Sequence, residues 1–270
     1  MKAEKEAPSF RNIVYSCYLS SNREGEQFIP QHTLSYQISG LLSLNDGKNG
    51  YTSTEGTFRL IRRNQLLKFN KQPPENGEFK SLSIYLDQEL LKNFSLEHKL
   101  TAETNYNSPT VLQFTPDKIL KAYVDSLLSY REMNILDDKS LMELKLKEGI
   151  FILLQKDPSL KDILFDFTEP FKIDLEAFMN QNFHFNVSLE RFAYLTGRSL
   201  ATFKRDFEKV FNSSPGRWLL QKRLQEAHYL IKEKGKTASD IYLDLGFEDL
   251  SHFSFAFKKA FGNAPSKVIS

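Results

Sequence analysis

Lys204, Arg205 and Lys209 share a short stretch of sequence with Phe203, Phe207 and Phe211. Phenylalanines at i, i+4 and i+8 fall on one face of an α-helix and need burial, so the three cationic side chains face solvent on the other. About 50 positions later the arrangement returns. Phe253, Phe257 and Phe261 back onto Ser251, Ser254 and Lys258, and Pro265 repeats Pro215. Ammonium, guanidinium and hydroxyl groups displayed on two such helices suit hydrogen bonding to base edges and neutralisation of phosphates. That is a chemistry of recognition, in which no bond is made or broken.

The rest of the chain offers little to compete with it. The five histidines, His32, His98, His184, His228 and His252, are dispersed, whereas a metal site needs its ligands clustered; His32, beside a predicted strand, lacks companions. No metal and no cofactor are expected. Neither a nucleophile paired with a base nor a glycine-rich phosphate loop is present. This argues against catalysis, including the alternative of a metal-dependent β-barrel enzyme with an appended helical domain. Cys17, the single cysteine, has no partner for an internal disulfide and is expected to be a buried, inert thiol. Lys232 to Lys236 reads as a solvated helix end, and Arg62-Arg63 as edge or surface charge.

Each copy of the repeat supplies the element needed to present its outward face. A capping Ser or Thr, a short helix, a glycine able to take left-handed geometry and a second helix follow one another. In the first copy these are Ser188, 189–196, Gly197 and 199–211; in the second, Thr237, 238–245, Gly246 and 249–261. This is the helix-turn-helix pattern, at 188–211 and 237–261. A helix over 214–233 joins the copies. At about 1.5 Å per residue it spans roughly 30 Å, near the ~34 Å turn of B-DNA.

Between Gly246 and Ser266, the turn Gly246-Phe247, the run Ser251-His252-Phe253-Ser254-Phe255, then Phe257-Lys258-Lys259, Gly262 and Pro265 closely resemble the signature of the AraC family of bacterial transcription regulators. Ser214-Pro215-Gly216-Arg217-Trp218 and Arg223-Leu224-Gln225-Glu226-Ala227 resemble that family's long connecting helix. The resemblance covers about 171–269, and more loosely the rest. It implies a sequence-specific activator of transcription that binds double-stranded promoter or operator DNA and has RNA polymerase as a partner. Carried onto this chain, it places Lys204 and Arg205 at bases, and Arg198, Lys209, Arg217, Arg223, Lys258 and Lys259 at phosphates. Leu250, Ser251 and Ser254 line the second recognition helix. Two positions depart from the family: Phe255 stands where arginine is common, and Ala201 where some members have a large side chain, so fewer base contacts are expected from the second unit.

The first half of the chain has a different rhythm. Leu34, Tyr36 and Ile38 alternate, as do Leu42 and Leu44 up to the hairpin signal Asn45-Asp46-Gly47. Phe58 to Ile61, Leu66 to Phe69 and Leu82 to Leu86 are further short strands, suggesting a small barrel or sandwich. Helical spacing follows at about 116–133 and 140–156. Leu141, Leu144, Ile150, Phe151 and Leu154 wrap more than half of the second of these helices, so Leu141, Leu144 and Phe151 are candidates for a homodimer interface. The family resemblance implies a cupin-like β barrel followed by dimerising helices here. It leaves open whether the domain senses a small-molecule effector or a partner protein.

The predicted architecture is therefore two domains: a cupin-like small β barrel with helices over 1–157 (strands about 11–86, helices about 87–157), a linker over 158–170, and an all-α DNA-binding domain over 171–270. A length of 270 residues fits two domains of ordinary size. Charge follows the same division: 171–270 holds 15 Lys+Arg against 11 Asp+Glu, and the remainder 21 against 23. The positive excess lies with the repeat, as a polyanion partner would require. Met1 to Pro8 is polar, unlike a secretory signal, and no apolar run reaches membrane-spanning length, so a cytoplasmic protein away from the membrane is expected.

Overall fold

The computed structural model describes residues 12–22, 27–103, 109–115, 117–133, 135 and 138–268. The expectations placed on Met1 to Pro8 and on Pro116 lie outside them. The described residues form two compact units, one of 12–22, 29–65 and 69–168, the other of 27–28, 66–68 and 169–268.

The first unit is built on an antiparallel sheet of five strands. In spatial order they are β1 (Ile13–Tyr18), β9 (Phe79–Leu86), β3 (His32–Ser39), β6 (Phe58–Ile61) and β10 (Val111–Phe114). Three more strands, β5 (Gly50–Ser53), β4 (Leu41–Asn45) and β8 (Lys68–Gln72), make a second sheet, and β2 (Phe28–Ile29) pairs with β7 (Gln65–Leu66). The hairpin signal folds as its residues require: β4 and β5 pair from Leu42↔Ser53 to Asn45↔Gly50, and Gly47 takes φ 90° in the turn. Alternation sends Leu34, Tyr36, Phe58, Leu60, Leu82 and Ile84 to one face of the large sheet. There they join a core with α1 (Gln88–His98), α2 (Lys118–Glu132) and α3 (Lys139–Lys156).

Four expectations change. A strand, β10, lies within the region expected to be helical, because the four residues Val111 to Phe114 pair with β6 after α1 has closed. The expected linker is partly core: Leu160, Ile163, Leu164 and Phe165 are buried with the helices, held by a short helix, α4 (Lys161–Leu164). Cys17 is exposed on β1, the edge strand of its sheet. Arg63 is buried, and its Nη2 donates to the carbonyls of Asp166 (2.9 Å) and Thr168 (2.7 Å).

The second unit is helical. α5 (Leu175–Asn182) precedes a short helix α6 (Leu189–Leu195) and a longer α7 (Leu200–Phe211); α8 (Pro215–Lys234) follows, then α9 (Ala238–Ile241) and α10 (Leu250–Phe261). At 20 residues, α8 is about 30 Å long. Its first half packs through Leu219 into a core of Phe185, Phe192, Phe203 and Phe207; its second half packs through Leu224, Ala227 and Ile231 against Ile241, Phe253 and Phe257. α9 is shorter than expected: the α-helix ends at Ile241, and 242–246 continue as turns to Gly246 at φ 82°. Gly197 also needs its glycine, since at φ 65° an added Cβ would stand 2.2 Å from the Phe171 carbonyl carbon.

Candidate nucleic-acid interface

The two longer helices of the repeat begin on side-chain caps. Ser199 Oγ accepts from the Thr202 amide at 3.3 Å to start α7, and Asp249 Oδ1 accepts from the His252 amide at 2.6 Å to start α10. With Phe203, Phe207, Phe253 and Phe257 fully buried, one face of each helix is committed to the core. The opposite face of α7 exposes Ala201, Lys204, Arg205 and Lys209; that of α10 exposes Ser251, Phe255, Lys258 and Lys259, with Leu250 at its start and Ser254 half-buried. Arg205 forms an ion pair with Asp206 at 3.8 Å, and its side chain is 66% exposed. The position that repeats it on α10 is Phe255, an aromatic ring left 70% exposed. Arg217 is exposed in the first turn of α8.

Arg198 and Arg223 are turned inward, against expectation. Arg223 donates from Nε to Phe183 O (2.8 Å), from Nη1 to Gly246 O (2.9 Å) and from Nη2 to Phe185 O (2.8 Å). Burial lowers its pKa to about 10, well above neutrality, so the group stays charged. Arg198 donates from Nε to Asp206 Oδ2 (3.1 Å) and from Nη1 to the carbonyls of Ile173 (3.1 Å) and Thr196 (2.6 Å), and its hydrogen bond, with Lys172 nearby, holds the Asp206 carboxyl below the usual range. Both arginines bind carbonyls of irregular backbone that lack a helical partner. Sequence spacing counts an arginine as a cation and is silent on which carbonyls it will meet.

On α3, Leu144 is 65% and Phe151 48% exposed, while Leu141 is half-buried. The Phe151 ring does not stand alone, lying 4.8 Å from both Phe94 and His98 of α1. Among the described residues no group of three or more His, Cys, Asp or Glu could hold a metal, and no helix is long and apolar enough to cross a membrane.

Two outward helix faces, each behind a short helix and a tight turn, define a DNA-binding regulator by class. Comparison with known proteins agrees: residues 192–270 match the family described as a helix-turn-helix domain, and residues 32–164 match the ExsA N-terminal regulatory domain. The HTH-type transcriptional regulator ExsA of Pseudomonas aeruginosa is 23% identical over 85% of this chain and 83% of its own. The thermoregulatory protein LcrF of Yersinia pestis is 25% identical over 99% of this chain and 94% of its own. The virulence regulon transcriptional activator VirF of Yersinia enterocolitica is 33% identical over 35% of each chain. This chain belongs to the AraC family of transcription regulators; it is a DNA-binding protein and not an enzyme.

Proposed function

We propose that the protein activates transcription by reading promoter or operator DNA with two helix-turn-helix units, 188–211 and 237–261, held by α8. The doubled outward face carries this reading: α7 and α10 bury matching phenylalanines and expose matching positions. Lys204 and Arg205 of α7 read bases, with Ala201 leaving room beside them. Leu250, Ser251 and Ser254 face the groove on α10, and Lys209, Arg217, Lys258 and Lys259 meet phosphates. Base contacts specify and phosphate contacts position, so the two groups differ in what their loss does. Arg205→Ala is expected to weaken operator binding by roughly 1–3 kcal/mol while sparing random DNA. Lys259→Ala is expected to weaken both and reduce the log–log salt slope by about 1. Gel-shift titrations at several salt concentrations check both; equal loss on operator and random DNA for Arg205→Ala refutes the assignment.

The N-terminal unit is proposed to be a cupin-like regulatory domain that dimerises through Leu141, Leu144 and Phe151 of α3. The N-terminal domain is proposed to run through most of the expected linker, 158–170, a reading supported by the burial of Leu160, Ile163, Leu164 and Phe165 with its helices. RNA polymerase is the partner that activation requires. The name of VirF as an activator, the match of 32–164 to a regulatory domain and the exposure of Leu144 and Phe151 support this reading.

A further inference from the structure

On α7 the residues Ala201, Lys204, Arg205 and Glu208 are spaced i, i+3, i+4 and i+7, and all four are exposed. They form one stripe opposite the buried Phe203 and Phe207. A recognition helix lying along the major groove reads bases through this spacing. The matching stripe of α10 is Ser251, Ser254, Phe255 and Lys258. Glu208 is the single acid in the two stripes, and it stands where the second copy carries Lys258.

That carboxylate has no structural partner among the described residues: no side chain forms an ion pair or a hydrogen bond with it. The neighbouring acid, Asp206, is engaged instead, meeting Lys172 at 3.4 Å, Arg198 at 3.1 Å and Arg205 at 3.8 Å. Glu208 also lies in the last turn of α7, where a carboxylate opposes the helix dipole, so it does not stabilise its own helix. On a surface that meets DNA, it is repelled by phosphates.

What a carboxylate brings to the groove is an acceptor with no donor. Guanine presents O6 and N7, thymine O4, and adenine an N7 beside its amino group, so each sets a lone pair against the carboxylate. Cytosine presents only a donor, its N4 amino group. Glu208 follows Arg205 by three residues, about 4.5 Å of helix rise against about 3.4 Å per base pair, which carries it to a base pair next to the one that Arg205 reads.

We propose that Glu208 is a specificity-determining residue of the first helix-turn-helix unit. Its carboxylate accepts from the N4 amino group of a cytosine beside the base pair read by Arg205, and its charge weakens binding to duplexes that lack that cytosine. This rests on the DNA-binding reading of α7 and assigns it a base.

The test starts from the full chain and a library of duplexes randomised over two helical turns, from which bound molecules are recovered and sequenced. The enriched duplex, its single-base-pair variants and the unselected library are then titrated by fluorescence anisotropy with the wild type, Glu208→Ala and Glu208→Gln. The wild type is expected to lose roughly tenfold in affinity when one C·G pair becomes T·A, and Glu208→Ala to change by less than about twofold there. Glu208→Ala should also bind the unselected library several-fold more tightly than the wild type. Alanine is the best helix former, so this exposed substitution keeps α7 folded. Glu208→Gln, whose amide donates to adenine N7 and accepts from N6, should exchange the preference for cytosine for one for adenine. A Glu208→Ala that keeps the wild-type preference at every position or binds the library no more tightly, or a Glu208→Gln that still favours cytosine, overturns the proposal. Arg205→Ala in the same titrations separates the outcomes. If it loses discrimination while Glu208→Ala keeps it, this inference alone falls; if the library yields no enriched sequence, the base-reading role of α7 falls with it.

Discussion

A buried guanidinium needs several acceptors, and Arg223 has three backbone carbonyls drawn from 183, 185 and 246. It is the tie between α8 and two stretches of irregular chain. Arg223→Met keeps the stem and removes the donors, leaving three carbonyls short of partners. It is expected to destabilise the helical unit by about 3 kcal/mol, read by urea unfolding of Trp218, the only tryptophan. A loss under 1 kcal/mol would mean that water replaces the guanidinium. His32 makes the opposite kind of demand. Its Nδ1 accepts from the Arg63 amide at 3.4 Å, its buried Nε2 has no partner among the described residues, and burial, with Arg63 and Arg62 nearby, pulls its pKa down to about 3. The unfolded chain takes up a proton below about pH 6.5 and the folded chain does not, so stability falls as pH drops through that window, by about 1.4 kcal/mol per unit. Between pH 6.5 and 5 this is about 2 kcal/mol. His32→Leu should flatten the slope, measured by hydrogen exchange at core amides of β3 and β9; an unchanged slope would show that the imidazole titrates normally.

At the scale of elements, α7 and α10 are copies with different surfaces. A phenylalanine at the position that repeats Arg205, the residue proposed to read bases, cannot donate a hydrogen bond, but it can pack on the methyl group of thymine. Replacing thymine by uracil in the half-site of α10 is therefore expected to weaken binding by the wild type several-fold and to have little effect on Phe255→Ala, in fluorescence anisotropy titrations. Equal sensitivity of both proteins to the methyl group would remove Phe255 from the contact. The turn chemistry behind these helices was legible in residue types: Gly197, Gly246 and the hairpin at 45–47 each take the left-handed or tight conformation that glycine permits. β10 was not legible, because four residues carry too little periodicity and their pairing partner, β6, is distant in sequence.

For the molecule as a whole, the unanswered demand is the outward side of α3. Leu144 and Phe151 lie two turns apart on one stripe and stay accessible, while Leu146, Ile150 and Leu153 fill the core. A two-fold contact through this stripe would bring two DNA-binding domains to neighbouring half-sites and raise occupancy through effective concentration. Leu144→Glu is expected to convert a dimer to a monomer by sedimentation at micromolar concentration with unchanged circular dichroism, and to leave weak half-site binding. A wild type that is monomeric alone and on DNA would end the interface reading.

What the sequence determined by itself is what local chemistry can encode: the repeat, its caps and glycine turns, the outward placement of Lys204, Arg205, Lys209, Lys258 and Lys259, and the family. These follow from helical spacing and from motif residues that lie close together in the chain. Only the tertiary structure decided which charges are interior. Arg59, Arg63, Arg198 and Arg223 are as basic in sequence as Arg205, yet carbonyls or a glutamine up to 105 positions away face them. It also drew Leu160 to Phe165 out of the expected linker into a core and left Cys17 exposed. The physical reason is common to all of these: burial and hydrogen-bond partnership depend on what the rest of the chain brings alongside, and a residue's own neighbours do not contain that information.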